Sequence, residues 1–331
     1  LSKPPKIVEF ASGPVAARRI GPNVLTLDYV DVSVGGELVR DQYFYAANQF
    51  VWKKQGMDRN PWDSAVQFED ELIRRKFPAD SGFEVVYRFT IEGSVPKDLA
   101  IVVERPDLYR VECNGHPVQG QASDWWLDRA FGRLAIAGAA QLGSNEVRLK
   151  AQPFQILHEI EPAYLLGSFR LRSADRGWVV VPDAPVEIGL GGDASGWNQQ
   201  GHPFYAEGVA YHHTFQISDR TGQYRLTLPR WYGAVAKVEV NGHDAGWVSA
   251  PPWDCEVTRW IQRGENHVEV TVIGTLKNTL GPHHGNHRLG SAWPGMFQNG
   301  PQSGPPEGSR YATVSYGLFQ PAVLRRLTPV P

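Results

Sequence analysis

The sequence predicts an all-β protein made of two tandem antiparallel β-sandwiches packed together. Three observations predict it. The stretch VECNGH at Val111–His116 recurs as VEVNGH at Val238–His243, 127 positions further on. The segments around both copies alternate apolar and polar residues, the period of a half-buried strand. Finally, 34 Gly and 25 Pro accompany 11 Trp, 12 Tyr and 14 Phe but only two Met, and many turns with large rings suit a sandwich better than a helical bundle.

Along the chain, Val24–Val34 (VLTLDYVDVSV) alternates, with a slip of phase between Tyr29 and Val30 that a β-bulge would produce. Long helices are nearly absent. The best candidate is Asp63–Phe77, whose mixed spacing also fits strand and loop. Tyr87–Ile91 and its counterpart His213–Ile217 read as strands. Leu99–His116 and Tyr224–His243 each hold two strands and close on Asn-Gly, a dipeptide that readily takes the positive φ of a tight hairpin. A short helical turn follows in each copy, stopped at Gly143 and Gly264, with Asn two residues later and then a strand. The first copy is longer here and holds Asp124-Trp-Trp-Leu-Asp128 and an AGAAQL run. Tyr311–Leu327 reads as strands. Each sandwich is therefore expected to take strands from outside its repeat: the first, residues 1–180, from the N-terminus, and the second, residues 181–331, from the C-terminus. The join falls near Arg172–Pro185, where no low-complexity linker separates the units, so they are expected to pack together.

Bulk properties bound the function. A net charge of −2 gives no electrostatic support to a nucleic-acid or acidic-lipid partner. No apolar run is long enough for a transmembrane helix. The opening LSKPPKIVEF lacks an initiator Met and the apolar core of a signal peptide, which suggests a piece of a longer chain. Cys113 and Cys255 alternate with strand-like neighbours and read as two buried thiols, the alternative being a disulfide if the two copies face each other there.

The stretch GAVAKVEVNGHDAGWVSAPPWDCEVTRWIQRGENHVEVTV (Gly233–Val272) resembles the galactose-binding-like, sugar-binding-type jelly roll of family 2 glycoside hydrolases. The family pattern runs from V-x-V-N-G-x-x-x-G through a Pro-rich loop and an acidic-Val-Thr step to Gly-x-Asn before the last strand. Glu256-Val257-Thr258 stands where the family usually has Asp-Val-Thr, and Gly264-Glu265-Asn266 matches. Flanking stretches, GWNQQGHPFYAEGVAY (Gly196–Tyr211), NTLGPHHG (Asn278–Gly285) and YGLFQP (Tyr316–Pro321), resemble the C-terminal β-region of large bacterial glycoside hydrolases of the family 106 α-L-rhamnosidase type. In that family the catalytic carboxylates sit in a separate (β/α)8 barrel, and no barrel pattern occurs in this sequence. The resemblance thus implies an accessory region that supports an upstream catalytic barrel in a periplasmic or secreted parent protein and binds carbohydrate. It also implies a structural Ca2+ in some members, for which Asp193 in a Gly-rich loop is the candidate oxygen donor. No other cofactor is implied.

The residues themselves supply candidates. A pyranose stacks its C–H face on flat rings while nearby amides and carboxylates take its hydroxyls. Loop-borne rings and partners that fit this are Trp125, Trp126, Asp128, Trp197, Asn198, Gln199, Trp231, Tyr232, Trp247 and Trp253. Against each stands core or interface packing. A self-contained glycosidase or lyase would need paired carboxylates about 5–10 Å apart. Glu159 with Glu161, on one strand face, or Asp124 with Asp128 are the available pairs, and the alternative for both is structural. A purely structural or partner-binding module is the third reading. The cluster His283, His284, His287 has no helical zinc-site spacing, since Gly281, Pro282 and Gly285 interrupt it, and it reads as a loop making inter-domain hydrogen bonds.

Overall fold

The chain opens with two strands whose partners lie far along the sequence. In a computed structural model that describes residues 4–58, 60–63, 70–290 and 292–329, β1 (Lys6–Phe10) pairs antiparallel with Val323–Thr328 and β2 (Ala16–Arg19) with Val209–Ile217. Between them the chain builds a second unit. Contacts divide the molecule into residues 1–22, 184–279 and 313–331, called the terminal unit here, and residues 23–183 and 280–312, the inserted unit. The division differs from the expected 1–180 and 181–331 because β1 and β2 complete the later sandwich rather than the earlier one. The segment after residue 279 also returns to the inserted unit.

The inserted unit runs β3 (Asn23–Leu27), β4 (Tyr29–Val34), β5 (Glu37–Tyr43), helix α1 (Phe44–Lys54), a short α2 (Asp70–Arg74), β6 (Phe83–Ile91), β7 (Ala100–Glu104), β8 (Arg110–Cys113), β9 (His116–Val118), β10 (Trp125–Trp126), β11 (Asp128–Ala135), β12 (Gly143–Ala151), β13 (Ala163–Gly167), β14 (Phe169–Ser173) and β15 (Trp178–Pro182). One sheet has the order β4-β6-β12-β8-β9, extended by β5 and by β15-β14; the other is β3-β13-β7-β11-β10. The terminal unit adds β16 (Val209–Ile217), β17 (Gln223–Thr227), β18 (Trp231–Tyr232), β19 (Val235–Val240), β20 (His243–Val248), β21 (Asp254–Glu256), β22 (Gly264–Ile273), helix α3 (Lys277–Leu280), β23 (Gly317–Leu318) and β24 (Val323–Thr328). Its sheets are β2-β16-β22-β19-β20 and β1-β24-β17-β21. The two orders correspond strand for strand, so both units are antiparallel sandwiches of one topology. The inserted unit interrupts the terminal unit between its second and third strands. In the inserted unit the same place is taken by β5, α1 and the segment up to β6.

The duplication extends to individual hydrogen bonds. Asn114 and Asn241 hold positive φ at 49° and 51°, each followed by a glycine at +79°, the conformation that Asn-Gly supplies to a tight hairpin. In the terminal unit Asn241 Nδ2 donates to Asn266 Oδ1 (3.0 Å), while the Asn266 amide accepts from Gln262 N (2.8 Å) and donates to the Gln262 and Gly264 carbonyls. In the inserted unit Asn114, Asn145, Gln141 and Gly143 make the same four bonds at 2.8–3.0 Å. A buried amide satisfied on every arm pins the hairpin to the start of the following strand.

Packing follows the strand period. On β16 Val209, Tyr211, Phe215 and Ile217 point into the terminal core, where β22 answers with Val268, Val270 and Val272. Fully burying such a side chain contributes roughly 1.5–3 kcal/mol.

The β-bulge expected at the phase slip is present as a register shift between Val30 and Val32, and the chain also changes sheet just before it, since β3 and β4 lie in different sheets divided at Asp28. The helix expectation is corrected. The longest described helix is α1, whose buried Phe44, Ala47, Asn48, Val51 and Trp52 follow helical spacing. Of the expected Asp63–Phe77 element, only Asp70–Arg74 is helical among the described residues, and residues 64–69 lie outside them. Cys113 and Cys255 are free and buried. Burial pushes the Cys113 thiol up to about 11 and raises that of Cys255.

Candidate functional site

Antiparallel neighbours place the last residues of one strand beside the first residues of the next. In the inserted unit this gathers carboxylates at one end of the sheet β3-β13-β7-β11. Leu27, the last residue of β3, pairs with Ala163, the first of β13, so Asp28 follows where Glu161 and Pro162 precede. Glu104 closes β7 opposite Phe131, and Asp128 opens β11 opposite Trp126. A cavity of about 280 Å3 lies at this end, lined by Asp28, Tyr43, Tyr45, Glu161, Tyr164 and His283.

Asp28 anchors the site. It is 3% exposed. Its Oδ2 lies 2.7 Å from His284 Nε2, its Oδ1 accepts the Tyr311 hydroxyl at 2.9 Å, and its carbonyl accepts the first amide of α1, from Phe44. Rings pack around the histidine: Tyr43 at 5.4 Å edge-on and Tyr311 at 4.8 Å. The Tyr43 hydroxyl donates to the Phe297 carbonyl. Tyr164 is the second pivot, with Trp126 at 5.4 Å and Phe131 at 5.9 Å. Burial, then the charge of Asp28 and Glu161, holds the Tyr43 phenol far above its ordinary range. Burial, then Glu161, Glu104 and Asp28, does the same to Tyr164. Both phenols are therefore hydroxyl donors at any physiological pH. Burial and the neighbouring Asp128 raise Glu104 as well. The Tyr43 proton is already given to the Phe297 carbonyl, so the result is a set of flat rings with the Tyr164 hydroxyl as donor beside carboxylate acceptors, an arrangement that can hold a polyol.

The sequence candidates divide by unit. Trp126 and Asp128 flank this end of the inserted unit, and Trp125 beside them is 47% exposed. The Asp128 carboxylate accepts the Ala130 amide. Trp231, Tyr232, Trp247 and Trp253 belong to the terminal unit. There Trp231 meets Trp253 edge-on at 5.5 Å, Tyr232 lies flat on Tyr316 at 5.8 Å, and Trp247 stands 52% exposed on β20. The cluster Trp197, Asn198, Gln199 needs correction. Trp197 has no exposed surface, donates to the Tyr211 hydroxyl at 2.9 Å, and is part of the terminal core. Asn198 bonds Thr313 and Ser315, Gln199 donates its main-chain amide to Gly196, and no ring face is open to a sugar there.

The paired-acid readings change too. Glu159 and Glu161 lie outside any strand, so they share no strand face. The Glu159 carboxylate accepts from Asn60, while Glu161 lines the cavity. Asp124 lines a different cleft from Glu161. His284 bonds within the inserted unit rather than between domains, and the His283 carbonyl accepts the Ala312 amide there. No cluster of three or more metal-ligating side chains occurs among the described residues, and the side chain of Asp193 lies outside them. Sequence reasoning missed Asp28, Tyr43, Glu104, Tyr164 and His284 as one constellation. The only local signal was the slip of phase between Tyr29 and Val30, next to Asp28.

No family model and no curated protein matches the chain. Solved structures similar to parts of it include a rhamnosidase from Novosphingobium sp. PP1Y (16% identity, 76% of this chain and 23% of that one, TM-score 0.29). A β-D-mannosidase from Dictyoglomus thermophilum is similar at 9% identity over 76% of this chain and 31% of that one, with a TM-score of 0.30. An α-L-rhamnosidase from Streptomyces avermitilis complexed with L-rhamnose is similar at 16% identity over 62% and 23%, with a TM-score of 0.26. The chain spans about a quarter of the length of the first of these. Likenesses of this size assign no role to any residue.

Proposed function

We propose that this chain is a non-catalytic carbohydrate-binding accessory region of a glycoside hydrolase, and that the cavity of the inserted unit is its sugar site. The observation that carries the proposal is a cavity of about 280 Å3 walled by the rings Tyr43, Tyr45 and Tyr164 and the carboxylates Asp28 and Glu161, with Trp126 and Phe131 packed on Tyr164 behind it, near the lower bound of roughly 300 Å3 for small-molecule sites. In this reading a pyranose stacks on the ring side and donates hydroxyl hydrogens to the acids. Asp28 is held by His284 and Tyr311 and serves to hold the wall, and Glu161, on the same wall, is the carboxylate proposed to accept from ligand. The exposed rings Trp247 and Tyr232 of the terminal unit offer a weaker second surface. The sequence likeness to the β-region of rhamnosidase-type glycoside hydrolases supports the accessory role, with a catalytic barrel as the partner in the parent protein and plant-type polysaccharide as the target. A structural Ca2+ at Asp193 belongs to the same proposal.

A second reading is favoured by one observation: Asp28 and Glu161 line a single cavity. It would make the unit a glycosidase by itself. Nuclear magnetic resonance titration of the chain with neutral plant-type oligosaccharides, run beside an assay with aryl glycosides, separates the two. Shifts confined to the cavity without turnover support the binding role. Turnover abolished by Glu161→Gln would replace it, and no shift at tens of millimolar sugar would leave neither.

A further inference from the structure

The cavity of the inserted unit carries an imbalance of charge that narrows what it would take. Two carboxylates, Asp28 and Glu161, belong to its wall, and among the described residues no lysine or arginine does. Asp28 is matched locally, by His284 at 2.7 Å and by the Tyr311 hydroxyl at 2.9 Å. Glu161 is held differently, through its main chain. Its carbonyl accepts the Tyr87 hydroxyl, and two residues earlier the Glu159 carbonyl accepts that of Tyr109. The half-buried Glu161 side chain therefore starts from a fixed anchor. Its charge acts on the phenols of Tyr43 and Tyr164, which belong to the same wall. Glu104 and Asp28 act on Tyr164 in the same sense, and among the described residues no basic side chain opposes them there. Tyr43 and Tyr164 are buried, and charges beside so poorly hydrated a wall are weakly screened.

A neutral hydroxyl offers such a wall one hydrogen. A protonated amine offers three and a charge, and a hydrogen bond between ions is about twice as strong as a neutral one. A carboxylate on the ligand would meet like charge instead. The chemistry that fits is a sugar whose ring carries a free amino group in place of a hydroxyl. We propose that the cavity prefers amine-bearing sugars, hexosamines without an N-acyl group, and that Glu161 receives the ammonium. The proposal rests on the carbohydrate-binding reading above and narrows its target from neutral sugars to cationic ones.

The test uses the whole chain and two probes of one backbone, cellotriose and the glucosamine trisaccharide of the same linkage. They differ only in bearing a hydroxyl or an amino group beside each anomeric carbon. Calorimetric titration at slightly acid pH, where the amines are protonated, is expected to give about tenfold tighter binding of the amine form. Glu161→Gln keeps the size of the side chain and removes its charge, and is expected to bring the two probes within about twofold of each other. The preference of the unaltered chain is read whether or not the variant folds, and an unchanged thermal midpoint shows that it does. Equal affinity of the unaltered chain for both probes would overturn the amine preference and leave the sugar site standing. An amine preference that survives Glu161→Gln at an unchanged midpoint would overturn its assignment to this cavity. Binding of neither probe would remove both proposals together.

Discussion

The duplicated asparagine clamp gives the most quantitative prediction. Asn266 is fully buried, and its side chain makes four bonds: it accepts from Asn241 Nδ2 at 3.0 Å and Gln262 N at 2.8 Å, and donates to the carbonyls of Gln262 at 2.8 Å and Gly264 at 3.1 Å. Asn266→Ala removes all four and strands one amide arm of Asn241 beside it. At about 1 kcal/mol net for each bond, the loss comes to about 4 kcal/mol, reduced to about 3 if water reaches the exposed Gln262 end. Asn145→Ala removes the equivalent four bonds in the inserted unit and should cost the same. Because the two units need not unfold together, hydrogen exchange resolved by peptide is the assay. Amides of β22 should exchange about a hundredfold faster in Asn266→Ala, and those of β12 by a similar factor in Asn145→Ala, each with the other unit unaffected. A cost below about 1 kcal/mol in either variant, or a large difference between the two, would refute the equivalence of the copies.

Other consequences follow from buried polar groups. Burial lowers His213 from 6.5 to about 4, and its Nε2 accepts the Ala322 amide, so the fold favours the neutral ring. A depressed histidine contributes stability in full above pH 6.5 and loses it as pH falls through 4. Urea midpoints of the terminal unit should therefore decline across that window by about 3 kcal/mol, and His213→Gln, compared over the same range, should show a flatter profile. His284→Ala leaves the buried Asp28 carboxylate with the Tyr311 hydroxyl as its remaining side-chain partner of the two and should destabilise the inserted unit by about 3–5 kcal/mol; a loss under 1 kcal/mol by calorimetry would show that the pair is not what holds that end. Cys113 and Cys255, with raised thiols in buried positions, should react slowly with a thiol reagent in the native state and fast in urea, and rapid stoichiometric labelling of the folded chain would contradict their placement.

The elements that were legible in the sequence are those fixed by local rules. Asn-Gly at residues 114–115 and 241–242 specifies a turn because so few other residues tolerate consecutive positive φ, and strand alternation identified β6, β12, β16 and β22. The same rule could have found α1: Phe44, Ala47, Asn48, Val51 and Trp52 have helical spacing, but an uncapped start after a strand concealed it. The insertion was not legible, because nothing in Lys6–Arg19 encodes that its partners are β24 and β16 rather than β3 or β6; each is an ordinary amphipathic strand. The site was half legible. Trp126 and Asp128 stood out as ring and acid, whereas Asp28, Glu104 and Tyr164 gain their meaning only from register, which brings the ends of three separate strands together. Trp197 misled for the opposite reason: its polar neighbours Asn198 and Gln199 suggested a surface loop, but a short 3-10 turn points the indole inward and the amides sideways.

The proposed sugar site of the inserted unit is tested most directly by calorimetric titration of the chain and of its Trp126→Ala and Glu161→Gln variants with neutral plant-type oligosaccharides. The structure predicts saturable binding in the range of roughly 0.1–10 mM, as expected of a small open site, weakened at least fivefold by either substitution while thermal midpoints hold. No heat of binding in the unaltered chain, or equal affinity in all three proteins, would contradict it.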